Sequence, residues 1–269
     1  MIQDSQTNTI FVSSLLKDYG NTFECIEKAI TGEAGLGFRV LDNTKDIWCR
    51  DYMPIQVSPD KLVGYKFYPN YLLKSKYLKG FITDNLQFPA TERLALVLDG
   101  GNVVKCKDNV IMTEKVFFEN PDKSKNQILA MLEDAFEAEI VILPWDRAEE
   151  YGHSDGIVHF VSGDTILMTN YRDYSKEFST KFLNVLEPKF NVIELHYSHK
   201  SKMNWAYINF VRVGNLILLP KLDIAEDEEA ITQISAVFPD CKIVPISCRD
   251  VVLSGGALNC TTWNVLLRM

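Results

Sequence analysis

Short apolar runs and amphipathic stretches follow one another along the chain in a fixed order. From residue 99, DGGNVVKCKDNVIMTEKVF predicts two short strands around a turn at Lys107, Asp108 and Asn109. Residues 123–138 then carry apolar side chains at helical spacing, with Asp122 as the expected N-cap. The apolar run EIVILPW follows and predicts a buried strand. The unit is therefore strand, strand, helix, strand.

The same order recurs twice downstream. GHSDGIVHFVSGDTILMTN and YINFVRVGNLILLPKL each predict a hairpin, and the second turns at Gly214 and Asn215, a favoured two-residue turn. Helical spacing follows in residues 174–190 and 224–238. The strands NVIELHYS and CKIVPIS complete the two units.

A fourth unit lies upstream, and a fifth is divided between the two ends of the chain. In the fourth, RDYMPIQVSPDKLVGYKFY predicts a hairpin, residues 72–86 contain the expected helix, and LALVLD is the last strand. In the fifth, GGALNCTTWNVLLRM joins TIFVSS, a helix over 14–30 and the strand FRVLD. Five copies, spaced by roughly fifty residues, favour a closed ring over chance alternation. We predict one domain of five ββαβ units over residues 1–269.

Each unit opens with polar residues beside a glycine or an aromatic residue, just before its first strand. These segments are WCRD, DGGN, GHSD, YINF and GGALNC. In a closed ring, equivalent positions converge on the axis. The ring therefore predicts a single small cavity surrounded by six side chains: Asp51, Asp99, His153, Asp155, Asn209 and Cys260.

Charge and composition restrict the classes of partner and cofactor that we expect the protein to bind. The net charge is -8, which argues against a nucleic acid or an anionic membrane and is compatible with a cationic substrate. No apolar run approaches the ~20 residues that span a bilayer, and we see no secretory signal. We expect a cytoplasmic protein with reduced thiols, and a homo-oligomer is left open. Metal-binding Cys/His spacing is absent from the sequence, so neither a metal nor another cofactor is expected.

The five segments resemble a known set of motifs. WCRDYMP, LDGGN, GHSDG, YINF and GGALNCTT are similar, in this order, to the motifs of the guanidine-modifying (pentein) superfamily, within its agmatine deiminase and bacterial peptidylarginine deiminase branch. The resemblance implies an α/β fold, a five-bladed α/β propeller, in agreement with the repeats. Asn259 stands where the family usually has His, and Asp99 where Glu is common. The chain is also short for an agmatine deiminase.

The resemblance implies Cys260 as the nucleophile and His153 as the acid/base. A guanidinium is planar and always protonated near neutral pH, so a carboxylate on each edge can accept its N–H groups. Asp51 and Asp155 are the candidates for this role. On a strand, the spacing of His153 and Asp155 would put both side chains on one face.

Three further residues are expected to contact substrate: Trp48, Asp99 and Asn209. Each also has a structural alternative. Trp48 could be ordinary core, the Asp99 segment could serve a close backbone approach at its glycines, and Asn209 could satisfy backbone groups at a strand end. Asp51 could instead pair with Arg50 or cap a turn. The remaining histidines and cysteines are expected to be structural.

The sequence thus predicts a hydrolase that converts a guanidino compound, agmatine first, into a ureido product and ammonia through a covalent thiouronium on Cys260. Three alternatives stay open: deimination of peptidylarginine or another guanidino metabolite, amidino transfer to an amine, and a non-catalytic pentein-fold binding protein. The set of Cys260, His153 and Asp155 favours an enzyme, because a pure binding module has no use for it.

Overall fold

Fifteen short strands form five separate sheets of three strands each in the computed structural model, which describes residues 1–82 and 90–268. The strands are β1 Thr9–Ser13, β2 Gly37–Leu41, β3 Ile55–Ser58, β4 Lys61–Lys66, β5 Glu92–Val97, β6 Val104–Cys106, β7 Asn109–Thr113, β8 Glu139–Leu143, β9 Val158–Ser162, β10 Thr165–Met168, β11 Asn191–Glu194, β12 Val211–Val213, β13 Leu216–Lys221, β14 Lys242–Ser247 and β15 Thr262–Val265.

Seven α-helices accompany these strands in the same part of the chain. They are α1 Gly20–Thr31, α2 Cys49–Tyr52, α3 Lys115–Glu119, α4 Lys125–Phe136, α5 Lys176–Leu186, α6 Glu226–Val237 and α7 Arg249–Leu253. Short 3-10 helices precede several first strands, among them Gly100–Asn102, Ser154–Gly156 and Asn204–Ile208. None of the helices in the described residues is long and apolar enough to cross a membrane.

All five sheets share one design. The middle strand pairs antiparallel with the first strand and parallel with the last, as in β3-β4-β5, β6-β7-β8, β9-β10-β11 and β12-β13-β14. The fifth sheet, β15-β1-β2, joins the two ends of the chain, and Thr9 pairs with Val265. The predicted five repeats of three strands are confirmed, including the split unit, and the arrangement is a five-bladed α/β propeller. Four of the units carry an α-helix between the second and third strands among the described residues.

Two local predictions were wrong. Residues 72–82 form no α-helix but carry the 3-10 helices Asn70–Lys74 and Leu78–Phe81, while residues 83–86 lie outside the described chain. The Ser75 hydroxyl accepts from Leu78 N at 3.1 Å, and such side-chain bonds compete with helical ones.

The second wrong prediction is the cap of α4, which is Ser124 rather than Asp122. Gln127 N donates to Ser124 Oγ at 3.3 Å, and Ser124 N donates to Gln127 Oε1 at 2.9 Å. This reciprocal capping box satisfies two backbone donors at once.

The five opening segments are tied into a ring by hydrogen bonds, and this ring builds the site. The bonds run from Gly101 N to Asp51 Oδ1 (3.0 Å), Ser154 N to Asn102 Oδ1 (3.2 Å), Asn209 Nδ2 to Asp155 O (3.3 Å), Asn259 N to Asn209 O (3.0 Å) and Arg50 N to Cys260 O (3.1 Å). Each segment therefore fixes its neighbour, and the polar side chains predicted to converge do so.

The first strands carry further polar side chains beyond this ring, where the N-terminal segment lies against them. Four of these side chains, together with Asp4 of the N-terminal segment, form what we call the axial polar cluster: Asp4, Lys105, His159, Arg212 and Asn264. Lys105 Nζ lies 2.8 Å from Asp4 Oδ1, Asn264 Nδ2 donates to Arg212 O at 2.9 Å, and Gly214 N donates to Asp4 O at 3.2 Å. The His159 ring lies on Phe210, with 3.9 Å between centroids.

Candidate active site

The Cys260 thiol lies between an amide and a carboxylate. Its Sγ is 3.3 Å from Asn209 Oδ1 and 3.9 Å from Asp155 Oδ2. Cys260 N also donates to Asn209 Oδ1 at 3.3 Å, so one amide oxygen holds both the backbone and the side chain of this residue. Asn259, whose role the sequence left open, donates from Nδ2 to Asp155 Oδ2 at 2.8 Å and so orients that carboxylate.

His153 lies between two carboxylates, and each ring nitrogen faces one of them. Nε2 is 2.8 Å from Asp99 Oδ2, and Nδ1 is 3.6 Å from Asp51 Oδ1. With Nε2 bound to Asp99, Nδ1 is the nitrogen left for chemistry on the Asp51 side. The predicted strand was wrong here, because His153 caps the 3-10 helix Ser154–Gly156, in which Asp155 lies.

Gly101 shows how closely these groups approach one another. A Cβ at this position would lie 2.7 Å from Asp51 Oδ1, 2.7 Å from His153 Nδ1 and 3.3 Å from Asp155 Oδ2. Both carboxylates and the reactive ring nitrogen therefore surround the same backbone atom. The glycine pair of this segment does serve close approach, since a Cβ on Gly100 would lie 2.0 Å from Arg50 O.

Asp51 does not pair with Arg50. The Arg50 guanidinium points the other way, donating from Nε to Asn259 O at 3.2 Å and from Nη2 to Asn264 Oδ1 at 2.8 Å. Asp51 accepts from Gly101 N instead, and it stays available to the cavity. Arg50 thus connects the segment that carries Cys260 to the axial polar cluster.

Charge and burial act in opposite directions on His153. Burial alone would lower the pKa of this imidazole, but the carboxylates of Asp51 and Asp99 raise it to about 9. Burial, reinforced by the charges of Asp99 and Asp155, raises the pKa of Asp51 to about 7 although His153 opposes the shift. An imidazolium beside a carboxylate is the resting state that these directions favour.

The thiol is the opposite case, because the three largest influences on it disfavour its ionised form. Burial comes first, followed by the charges of Asp155 and Asp51, and together they raise the pKa of Cys260 well above that of a free thiol. Burial also raises the pKa of Asp155. A cation placed between the two carboxylates would reverse the electrostatic part of this effect.

Two cavities, of about 580 and 460 Å³, meet at the thiol. Both are lined by Tyr151, His153, Gly255 and Cys260. Asp155 and Asn209 line only the larger cavity, and Trp48 and Asp51 line only the smaller. A group at the junction would therefore have one carboxylate on either side.

Asp99 lines neither cavity, contrary to the expectation that it contacts substrate. It is 1% exposed and touches His153 and Lys115. Trp48 does line a cavity, and its ring packs so closely on Gly256 that a Cβ there would lie 2.4 Å from Cζ3.

The sequence reasoning missed Lys115 and Glu119. Both side chains are buried, at 0% and 4% exposure, and Lys115 Nζ is 3.0 Å from Glu119 Oε1. The i,i+4 spacing could have indicated an ion pair, but such pairs are usually found on exposed helix faces. In residues 1–82 and 90–268, the site included, no group of three or more His, Cys, Asp or Glu side chains could hold a metal ion.

The sequence profile of the Porphyromonas-type peptidyl-arginine deiminase family matches residues 2–265. An agmatine deiminase of Pseudomonas putida is 26% identical over 206 residues, which are 62% of this chain and 56% of that protein. The chain spans between 56% and 57% of the length of three such curated relatives.

Solved structures share the fold. A C. jejuni agmatine deiminase with substrate bound gives a TM-score of 0.79 at 18% identity, covering 99% of this chain and 96% of that one. An Enterococcus faecalis agmatine deiminase gives 0.73 at 18% identity, with 100% and 96% covered. The DDAH of Pseudomonas aeruginosa gives 0.61 at 12% identity, with 96% and 99% covered.

Proposed function

The chain belongs to the Porphyromonas-type peptidyl-arginine deiminase family, and we propose that it hydrolyses a small guanidino compound to a ureido product and ammonia. The observation that carries the proposal is the junction of the two cavities, where the Cys260 thiol, the His153 Nδ1 and the carboxylates of Asp51 and Asp155 face one point. Acid/base, nucleophile and cation-binding groups are the set that such a reaction needs.

The first step binds the guanidinium between Asp51 and Asp155. Paired, charge-assisted hydrogen bonds hold its plane and keep its positive charge in place. That charge offsets the two carboxylates beside Cys260, so the thiol loses its proton to solvent as the substrate binds. Until then, the thiol donates to Asn209 Oδ1, which holds Sγ in position before the substrate binds.

The second step forms the covalent intermediate. The Cys260 thiolate attacks the guanidinium carbon, and a tetrahedral adduct forms with a new S–C bond. His153 Nδ1 gives its proton to one amino group, the C–N bond breaks, and ammonia leaves. A thiouronium remains on Cys260, and His153 is neutral.

The third step uses the neutral imidazole as a base. His153 takes a proton from a water molecule, and the resulting hydroxide adds to the thiouronium carbon to form a second tetrahedral adduct. The hydroxyl of this adduct loses its proton to solvent, its C–O bond becomes the carbonyl of the ureido group, and the S–C bond breaks. The products are the ureido compound, the thiolate and a reprotonated His153. Because His153 acts first as acid and then as base, its pKa matters in both directions.

Agmatine is the proposed substrate because the cavity walls are acidic. Three carboxylates line the larger cavity (Asp146, Glu149 and Asp155) and four the smaller (Asp18, Asp46, Asp51 and Glu150). One lysine lines each cavity, Lys202 and Lys45. Agmatine has the guanidinium and the amine of arginine but lacks the α-carboxylate, which a negative wall would repel.

The test is ammonia release from agmatine, arginine, methylated arginines and an arginyl peptide, with the ureido product measured alongside. We expect equimolar ammonia and ureido product, with the highest kcat/KM for agmatine. A higher value for the arginyl peptide would reassign the substrate but keep the chemistry. Substrate binding without ammonia from any of these compounds would overturn the proposal.

A further inference from the structure

A buried ion-pair chain touches the proposed acid/base and is not used in the steps above. It runs from Glu119 through Lys115 to Asp99 and ends at His153. Lys115 is the central member, and its side chain is 0% exposed. Burying a lysine is unfavourable unless its charge is compensated, so a lysine at this place calls for an explanation.

We propose that Lys115 is a positioning residue, which holds the Asp99 carboxylate against His153 Nε2 and limits how strongly that carboxylate retains the proton on the ring. This inference rests on the proposed function, because it concerns the acid/base of the same site. Lys115 contacts neither Cys260 nor either cavity, so it acts only through Asp99.

The contact between Lys115 and His153 passes through one oxygen atom of Asp99. Lys115 Nζ and His153 Nε2 both bind Asp99 Oδ2, the histidine at 2.8 Å. Asp99 Oδ1 is buried and has no hydrogen-bond partner among the described residues. Nothing on the Oδ1 side therefore fixes the carboxylate, and the contact with Lys115 decides where Oδ2 lies relative to the imidazole.

Lys115 itself is fixed from two other sides. Glu119 Oε1 lies 3.0 Å from its Nζ, and the Tyr71 ring centroid lies 5.0 Å away. Asn70 N donates to the same Glu119 oxygen at 2.9 Å. Glu119 belongs to α3 and Tyr71 to the 3-10 helix Asn70–Lys74, so two elements hold the ammonium in place.

The charges that face His153 determine whether Lys115 raises or lowers the proton affinity of the ring. Asp51 and Asp99 favour the imidazolium, Lys115 opposes it, and burial opposes it most. The remaining ionisable groups around the ring are Asp155, Cys260, Tyr71 and Tyr151. A histidine that must give and then accept a proton works best when neither form is too stable, and Lys115 counters the excess of negative charge.

The experiment compares Lys115→Met, which keeps length and removes charge, with Glu119→Gln, which removes the distal negative charge. Titration of the four histidines by long-range ¹H–¹⁵N correlation spectra, with His153 assigned from His153→Asn, requires no substrate. We expect the pKa of His153 to rise by about one unit in Lys115→Met and to fall in Glu119→Gln, because the two variants change the local charge in opposite directions.

Turnover provides the second readout. In Lys115→Met, kcat should fall about 10- to 100-fold, the range seen when a residue that orients a metal-binding histidine through a hydrogen bond is replaced. KM should change little. The limb of the pH profile of kcat that reports His153, whether loss of the acid or gain of the base, should move upward with the pKa of His153. If Lys115→Met only lowers Tm and leaves both the titration and the pH profile in place, the lysine is structural and the inference fails.

The role of Lys115 and the proposed hydrolase function can be contradicted independently of each other. A shifted titration without turnover of any guanidino compound would support the role of Lys115 and overturn the proposed function. Should Lys115→Met not fold, Glu119→Gln still decides, since an unchanged pKa of His153 in that variant contradicts the chain of contacts. A rise of the pKa in Glu119→Gln would also contradict it.

Discussion

Two histidines six positions apart in the sequence show opposite electrostatics. His153 belongs to the ring of opening segments, where carboxylates raise its pKa to about 9 in spite of burial. His159 belongs to the axial polar cluster, where burial lowers its pKa to about 4, and Arg212, Arg50 and Lys105 add to that effect against Asp4. Both are buried on the same stretch of chain, at 9% and 8% exposure.

The ring of opening segments and the axial polar cluster therefore serve different purposes. At the ring, negative charge accumulates without enough cations to neutralise it, which suits a cationic ligand. In the axial polar cluster, side chains of both signs satisfy one another and the N-terminal segment, which suits stability. Variants at the ring should therefore change turnover, and variants in the cluster should change stability.

The largest expected effect is that of Cys260→Ser at the ring. Replacing the nucleophile by a poorer one should lower kcat by several orders of magnitude, as removal of a nucleophile does in other covalent enzymes. Tm should change little, because serine differs from cysteine only in the atom that replaces sulfur and Cys260 lines both cavities. Ammonia release and thermal unfolding check both parts.

Cys106→Ala is the matched control for this change. Cys106 is 1% exposed and lies near Asp4, so its loss should lower Tm and leave kcat within a few-fold. Substantial turnover by Cys260→Ser would remove the nucleophile from the mechanism.

The second effect compares the histidines directly. His153→Ala should lower kcat by about 10²- to 10⁴-fold, the range for loss of a general acid/base. His159→Gln should keep kcat within a few-fold, because His159 lines neither cavity. Equal losses of kcat in the two variants, measured at equal fractions of folded protein, would contradict the different roles given to the two histidines.

The third effect concerns how the thiolate arises. Near neutral pH, iodoacetamide should alkylate Cys260 slowly and a cationic haloacetamidine faster, because the cation offsets Asp51 and Asp155, which raise the pKa of the thiol. Each pKa unit by which the cation lowers that value is worth about tenfold in thiolate. Inactivation rates against pH for both reagents provide the measurement.

Asp51→Asn and Asp155→Asn should each reduce the preference for the cationic reagent. Each substitution removes one of the charges that bind it. A thiol that titrates below its free value in the empty enzyme would show that the thiolate exists before substrate binds.

The sequence predicts the ring better than the charges inside it. Hairpin turns, helical spacing and the split unit are local or periodic signals, so the five sheets and the convergence of Asp51, His153 and Cys260 follow from them. The burial of Lys115 could not be predicted, because Asp99 lies sixteen residues earlier in the same unit and only the folded hairpin between them brings the two side chains together. His159 has the same limitation, since its environment includes the N-terminal Asp4.

The smallest expected effect is on the pH dependence of stability, to which His159 contributes. The pKa of His159 is lowered from 6.5 to about 4 on folding, so between these values the unfolded chain binds a proton that the folded chain does not. Stability from this group is therefore fully present above pH 6.5 and is lost as the pH falls towards 4. The loss amounts to at most about 3 kcal/mol, from 1.36 kcal/mol per pKa unit.

His159→Phe should remove this acid-side decline, and the measurement is urea unfolding at several pH values between 4 and 7.5. The folded-state pKa of Asp51, raised to about 7, changes stability over part of the same range, but it does so in both proteins. The difference between the two curves therefore isolates His159, because distant sites contribute additively. Asp4 titrates at lower pH, since Lys105 holds the pKa of its carboxyl below the ordinary value against the effect of burial. If the two curves stay parallel from pH 7.5 to 4, His159 is protonated in the folded state, and the contrast between the two histidines disappears.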